Sequence, residues 1–299
     1  MTILICGANG KVGTALTTQL KIRKLAYSAL DHTQLDITNS ASIQQRLSEY
    51  RPSIIINTAA FTQVDIAEQQ QEKAYRVNML GAKLLAQAAA NQRLPIIQLS
   101  TDYVFSGEKP LAESYTEDDT AEPASIYGKS KLAGEHAVRN ATPHHIIIRT
   151  AWLFDEHSQS FAQKIITAAK QQLDLPNPSL HIAANQYGCP TGTKDLACAI
   201  ACLLQIYAST ATLPWGTYHY AGEPAVSRLT WAQEILTRAQ AQGIISRQPT
   251  LVPTTDTRYI GIAPRPANSV LSCTKIQQCF GIEPSRWHNG LDQLVQTMK

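Results

Sequence analysis

Apolar residues in the first half of the chain follow two alternating rhythms. Short continuous runs stand at TILIC (2–6), LAYSALD (25–31), SIIINTAA (53–60), LPIIQLS (94–100) and HHIIIRTAW (144–152). Between them lie stretches with helical spacing: KVGTALTTQLKI (11–22), SASIQQRLSEY (40–50) with Ser40 as its expected cap, a long helix over roughly 70–92, and SIYGKSKLAGEHAVRN (125–140). Unbroken apolar runs, rather than alternating ones, suit strands covered on both faces. Strands alternating with helices imply right-handed crossovers and therefore a parallel sheet.

After about residue 152 the rhythm changes. Helical stretches around 159–171, 193–207, 229–242 and 287–298 are joined by links rich in proline and glycine, with QYGCPTGT (186–193) and RYIGIAPRPANS (258–269) reading as loops. The expected architecture is α/β. A doubly wound parallel sheet occupies 1–152, and a smaller mixed α/β lobe occupies 153–299, from which some segments return to the sheet.

Composition narrows the function. The chain has 299 residues, 44% of them hydrophobic, and a formal net charge of +3. No basic run accompanies that charge, so neither nucleic acid nor a membrane surface is an expected partner. The apolar stretch LACAIACLL (196–204) is about half the ~20 residues that span a bilayer, and MTILICGANG lacks a basic leader, so a cytoplasmic protein is expected. The six cysteines, at 6, 189, 198, 202, 273 and 279, form no C-x-x-C and have no histidine at ligand spacing. They read as reduced, mostly buried thiols, and no metal site is expected.

The first candidate site is CGANGKVG, which ends the first strand and opens the first helix with Gly7, Gly10 and Gly13. One glycine permits the tight turn and another lets the backbone approach a pyrophosphate at the helix N-terminus. This makes the sheet Rossmann-type, with Gly7, Asn9, Gly10, Lys11, Val12 and Gly13 as candidate cofactor contacts. Asp31 ends the second strand 24 positions after Gly7, near the spacing at which an acid bonds a ribose 2′-hydroxyl. A carboxylate there favours NADH over NADPH, although His32 and nearby donors soften that choice. Asp36, followed by Ile37, lies near the expected adenine position, or serves only as a loop residue.

The second candidate site is STDYVFSG (100–107), four polar side chains where a core strand stops. A plain turn uses such residues, and so does a reaction centre at the carboxyl edge of a sheet. Tyr127 and Lys131 then share a helix face, and theirs is the only Tyr-x-x-x-Lys pair in the chain. Gly7, Thr101 and Tyr127 can all converge on one sheet edge.

These pieces, with NTAAFTQVDIAE, YRVN, RTAWLF, QYGCPTGT and RPANSVL, resemble the dTDP-4-dehydrorhamnose reductase family of the extended short-chain dehydrogenases/reductases. The resemblance covers essentially the whole chain. It implies reduction of the C4 ketone of a nucleotide-linked 6-deoxysugar by NADH or NADPH. It casts Tyr127 as general acid, Lys131 as the neighbouring cation that also holds the nicotinamide ribose, and Thr101 as donor to the carbonyl oxygen. Ala59 and Ala60 would approach the cofactor, with Asn78 bracing that loop. Thr62, Val64, Asp102, Tyr103, Trp152 and Arg265 would meet the dTDP-sugar, Arg265 at its diphosphate, with Asn268 and Ser269 supporting the loop. Related dehydratases and epimerases carry an acid where this chain has Tyr103. Some relatives dimerise through magnesium held by glutamates; Ala15 and Lys194 stand at the aligned places, so a homodimer, if formed, is not expected to be magnesium-linked. Two rivals share the fold: a regulatory subunit like that of methionine adenosyltransferase, and an epimerase or dehydratase that holds its NAD tightly.

Overall fold

The computed structural model describes residues 1–156, 160–255 and 261–298. The five apolar runs form strands β1 (Thr2–Cys6), β2 (Ala26–Leu30), β3 (Ile54–Asn57), β4 (Ile96–Thr101) and β5 (His145–Thr150). A sixth strand, β6 (Gly216–His219), arrives from the second half of the chain. The sheet runs β6-β5-β4-β3-β1-β2, and every neighbouring pair is parallel. The chain crosses over β1 to pass from β2 to β3, so the winding reverses there. In such sheets ligands bind beyond the carboxyl ends of the strands at this switch.

The continuous runs fill two separate layers. Ile3, Ile5, Ile54, Ile56, Ile97, Ile146 and Ile148 face one core, shared with Leu16 and Leu20 of the first helix and with Leu196, Ile200 and Leu203. Their neighbours Leu4, Cys6, Ile55, Ile96 and Ile147 face the other, against Ile43, Leu47, Leu85, Ala86, Ala89 and Val138. Period-two alternation therefore persists, but both faces are apolar, which is why it is invisible in the sequence.

Three local expectations are corrected. Asn39, not Ser40, caps the second helix: its side chain accepts from the Ala41 and Ser42 backbone N–H groups, and Ser40 is the first helical residue. The long helix over 70–92 is not continuous in kind. It begins as Gln71–Tyr75, widens to a π-helical stretch at Arg76–Gly81 and resumes as Ala82–Asn91. A further helix, Thr274–Phe280, was not anticipated.

Helices Phe161–Gln172, Arg228–Ala241 and Trp287–Thr297 build the lobe around Trp231, Trp287, Phe154, Ile235 and Leu291. Its strands Ser179–Ala183 and Thr250–Thr254 pair in parallel with each other. All six cysteines are free; Cys6, Cys189 and Cys273 are buried, Cys198 and Cys202 half-buried, and Cys279 is exposed. Among the described residues no helix is long and apolar enough to cross a membrane. Of RYIGIAPRPANS, residues 258–260 lie outside the described residues.

Candidate active site

The glycine loop is compact for a steric reason. Gly7 has φ +83°, and a Cβ there would lie 2.6 Å from the Ala59 backbone nitrogen. A Cβ on Gly13 would lie 2.3 Å from the Gly7 carbonyl oxygen and 2.8 Å from the Ala8 Cα. Gly10 caps the first helix (Lys11–Ile22), and its N–H donates to the Gly7 carbonyl at 3.0 Å. Turn, strand β3 and helix thus meet at van der Waals limits, leaving a cradle of the kind a pyrophosphate occupies. Gly13→Ala is expected to push the helix off the turn and weaken NADPH binding at least about tenfold in a fluorescence titration. Wild-type affinity in a folded Gly13→Ala protein would remove this loop from the cofactor site.

Asp31 stands just past β2 and joins the loop. Its carboxylate accepts from the Asn9 amide at 2.6 Å, from the Thr33 hydroxyl at 2.7 Å and from the Thr33 and Gln34 N–H groups at 2.9 and 3.2 Å. The Thr33 bonds hold its pKa below the ordinary value. Asp36 makes the same kind of turn with Thr38. Ile37 is buried, and Gly81 gives it room: a Cβ on Gly81 would sit 2.6 Å from Ile37 Cδ1. His32 and Lys11 are exposed, and Val12 is buried under the loop.

Asn78 fixes the segment after β3. Its side chain accepts from the Phe61 N–H at 2.8 Å and donates to the Phe61 carbonyl at 3.1 Å and to the Ser130 hydroxyl at 2.9 Å. One buried amide ties Ala59–Phe61 to the Tyr127–Lys131 helix. It lies in the π-helical stretch, a distortion that recurs at functional sites.

At the carboxyl end of β4, Thr101 and Asp102 are both buried, and the Thr101 hydroxyl donates to Asp102 Oδ1 at 3.0 Å. Helix Ile126–Ala141, capped by Ser125, presses on this turn. Gly128 has no space for a Cβ, which would lie 2.2 Å from the Tyr103 carbonyl oxygen. That close approach brings the Tyr127 and Tyr103 rings edge to face, 5.6 Å apart. Burial pushes the Tyr127 phenol well above its usual pKa, while the neighbouring Thr101 hydroxyl acts the other way. Tyr127 therefore holds its proton. Lys131 is buried, donates to the Leu99 carbonyl at 2.7 Å, and is pulled down to about 8 by burial, with the Glu135 carboxylate opposing. Burial also raises Asp102 to about 6, and its Oδ2 has no hydrogen-bond partner among the described residues.

Beneath these residues lies a buried ion network that sequence reasoning missed. Glu135, one turn after Lys131, accepts from Ser100 Oγ at 2.5 Å, from Arg149 Nε and Nη2 at 2.9 and 2.8 Å, and from Arg139 Nη2 at 2.7 Å. Burial alone would raise the Glu135 pKa, but the Arg149 bonds and charge outweigh it and hold it low. The network joins β4, β5 and the Tyr127 helix under the reaction centre.

The outer wall mixes sheet and lobe. Trp152 has a left-handed backbone, φ +43°, and its indole fills the space where a Cβ on Gly188 would lie, 2.4 Å away. Strain of this kind collects at ligand sites. Arg265 pairs with Asp65 at 2.7 Å and donates to the Tyr103 hydroxyl at 3.0 Å. Asp65, which no motif singled out, also accepts from the Ala263 N–H at 3.0 Å. The Asp65 carboxylate thereby straps the 261–265 loop to helix Val64–Gln69. Thr62 is exposed and Val64 half-buried at the start of that helix. Asn268 is buried and donates to the carbonyls of Lys109, Pro110 and Glu113, holding the loop from behind. Lys194 reaches Gln293, and Ala15 packs against the sheet core.

The arrangement is a hydrogen-bond donor, Tyr127, with a threonine hydroxyl beside it and Lys131 one turn along the same helix, at the carboxyl edge of a sheet whose glycine cradle suits a dinucleotide. It can protonate an oxygen that gains charge. A family model described as the RmlD substrate binding domain matches residues 1–299. The chain is 38% identical over 294 residues to a dTDP-4-dehydrorhamnose reductase of Aggregatibacter actinomycetemcomitans, covering 98% of this chain and 97% of that one. It is similar to the crystal structure of a dTDP-4-dehydrorhamnose reductase from Clostridium acetobutylicum, with TM-score 0.88, 34% identity and 99% of each chain covered. A reductase of the same name from Bacillus anthracis, solved in complex with NADP, matches with TM-score 0.85 at 32% identity over 98% of each chain.

Proposed function

From the premise that this chain belongs to the RmlD substrate binding domain family, we propose that it reduces the C4 ketone of dTDP-4-dehydro-L-rhamnose to give dTDP-L-rhamnose. It is an NAD(P)H-dependent oxidoreductase of nucleotide-sugar synthesis. The observation that carries the reading is the Tyr127 phenol beside the Thr101 hydroxyl at the carboxyl edge of β4.

The cradle of Gly7, Gly10 and Gly13 fits the pyrophosphate of the cofactor, Asp31 and Asn9 lie where its adenosine ribose would be, and Ala59 and Ala60 would line its path. A nicotinamide held there would supply the hydride for the ketone carbon. Tyr127 gives its proton to the ketone oxygen as the C–O π pair moves onto it, so the product is a neutral alcohol. A phenol raised by burial is a poor spontaneous acid, and the Lys131 ammonium makes its ionisation easier as charge passes to it. Thr101 donates to the same oxygen, a contact worth about 3 kcal/mol in comparable sites. Trp152, Tyr103 and Asp102 wall the sugar, Thr62 and Val64 meet the nucleoside side, and Arg265 faces the diphosphate. The protein works in the cytoplasm; if it dimerises, magnesium plays no part, since Ala15 and Lys194 offer no carboxylate.

The test is NADH or NADPH oxidation, followed at 340 nm, with dTDP-4-dehydro-L-rhamnose and with other 4-keto sugar nucleotides as comparators. Stoichiometric oxidation with the first, and free exchange of cofactor between turnovers, is expected. A preparation that keeps its cofactor tightly bound and oxidises none would support the epimerase or dehydratase rival instead.

A further inference from the structure

The sugar-side wall contains an arginine outside every motif. Arg228 is the first residue of helix Arg228–Ala241, directly after its cap Ser227. Its guanidinium carbon lies 3.4 Å from the centre of the Trp152 ring, 4.8 Å from that of Phe161 and 5.5 Å from that of Trp231. The indole it rests on is fixed from behind by Gly188. A guanidinium lying on a ring keeps its five N–H donors in its own plane, free to meet a planar or tetrahedral anion.

Among the described residues those donors are unused. Arg149 has Glu135, Arg238 has Glu234 and Asp292, and Arg265 has Asp65. Among the described residues none accepts a hydrogen bond from the Arg228 guanidinium, and no carboxylate forms an ion pair with it. Burial pulls its pKa down to about 10; Tyr103 and Asp102 oppose that fall, and Arg265 adds to it. Arg228 and Arg265 thus act on one another and share the influence of Tyr103, and among the described residues Arg228 has no ion-pair partner. Like charges so placed are relieved by a ligand bearing several negative oxygens, and aromatic packing alone does not require a cation.

We infer that Arg228 is a diphosphate-binding residue, its flat face on Trp152 and its fork on the phosphate oxygens of the sugar nucleotide, opposite Arg265. Arg265 alone is a poor candidate for the whole task, because Asp65 and the Tyr103 hydroxyl already occupy part of its fork. The inference rests on reading the site as that of a dTDP-sugar reductase.

Calorimetric titration with dTDP, in saturating NADPH, tests it on the full chain. Arg228→Gln is expected to weaken dTDP about tenfold or more, and Arg228→Lys several-fold, with NADPH affinity within about twofold of wild type. On the unmodified protein, an arginine-directed dicarbonyl should label the Arg228 peptide, and dTDP but not thymidine should protect it. This second readout holds even if the variants fail to fold. A folded Arg228→Gln protein that binds dTDP like wild type overturns the inference, as does labelling of Arg228 that dTDP leaves unchanged. Wild-type protein that binds no dTDP at all overturns the reductase reading itself, and needs no variant to be seen.

Discussion

Tyr127→Phe is expected to lower kcat by roughly 10²–10⁴-fold, the range a positioned general acid contributes, while the NADPH Kd stays within a few-fold. The phenylalanine keeps the ring that meets Tyr103 edge to face, so packing survives and only the proton is lost. The split between kcat and Kd is the informative part. The glycine cradle is built by Gly7, Gly13 and Ala59, none of which depends on the phenol oxygen. A pH profile extends the test. Lys131 is held at about 8, so its charge is present below that pH and is lost as pH rises through it. The wild-type kcat/KM of the free enzyme should therefore fall on the alkaline side near pH 8. The residual rate of Tyr127→Phe should lose that limb, because the cation then has no phenol to assist. Turnover near the wild-type value in Tyr127→Phe would take this residue out of the mechanism, and Thr101 would become the first candidate donor.

The second large effect concerns stability. Glu135→Ala should cost about 3–5 kcal/mol in urea unfolding, because it leaves the buried Arg149 guanidinium without its counter-charge. Arg149 is 3% exposed, and the same carboxylate also binds Ser100 and Arg139, so its removal strips three groups of their partner at once. The sign with pH follows from the lowered Glu135 pKa. Its contribution is complete above the ordinary carboxylate range and is lost as pH falls through the depressed folded value, where the carboxyl is neutralised. The gap between wild type and Glu135→Ala should therefore be full at pH 7 and shrink toward acid. A loss below about 1 kcal/mol at pH 7 would mean that water or a rearranged Arg149 replaces the carboxylate.

Much of this site is written locally. Gly7, Gly10 and Gly13 are legible because a turn between strand and helix can be occupied by little else at those approaches, and the five apolar runs are legible because a strand covered on both faces is apolar at most of its positions. Tyr127 and Lys131 are legible because a helix puts residues four apart on one face. STDYVF, YGKSKLAGE and RPANSVL carry a family resemblance that implies the same reaction.

Other features have no local signature. Asn39 displaced Ser40 as a cap because both residue types serve, and only backbone dihedrals choose between neighbours: Asn39 is extended at φ −119°. The π-helical stretch around Asn78 follows from what that amide must reach, Phe61 on one side and Ser130 on the other. Strand β6 is a short run, GTYH, that becomes a strand by adding to β5 from far along the chain. Charged pairs are the extreme case. Asp65 meets Arg265 across 200 positions, and Glu135 meets Arg149 on another element, so neither partner is marked as paired by the residues beside it. Arg228 reads in sequence as one more arginine at a helix start. Its place over Trp152 is decided by the packing of the lobe on the sheet edge, since electrostatics and stacking act through distances that only the folded chain fixes.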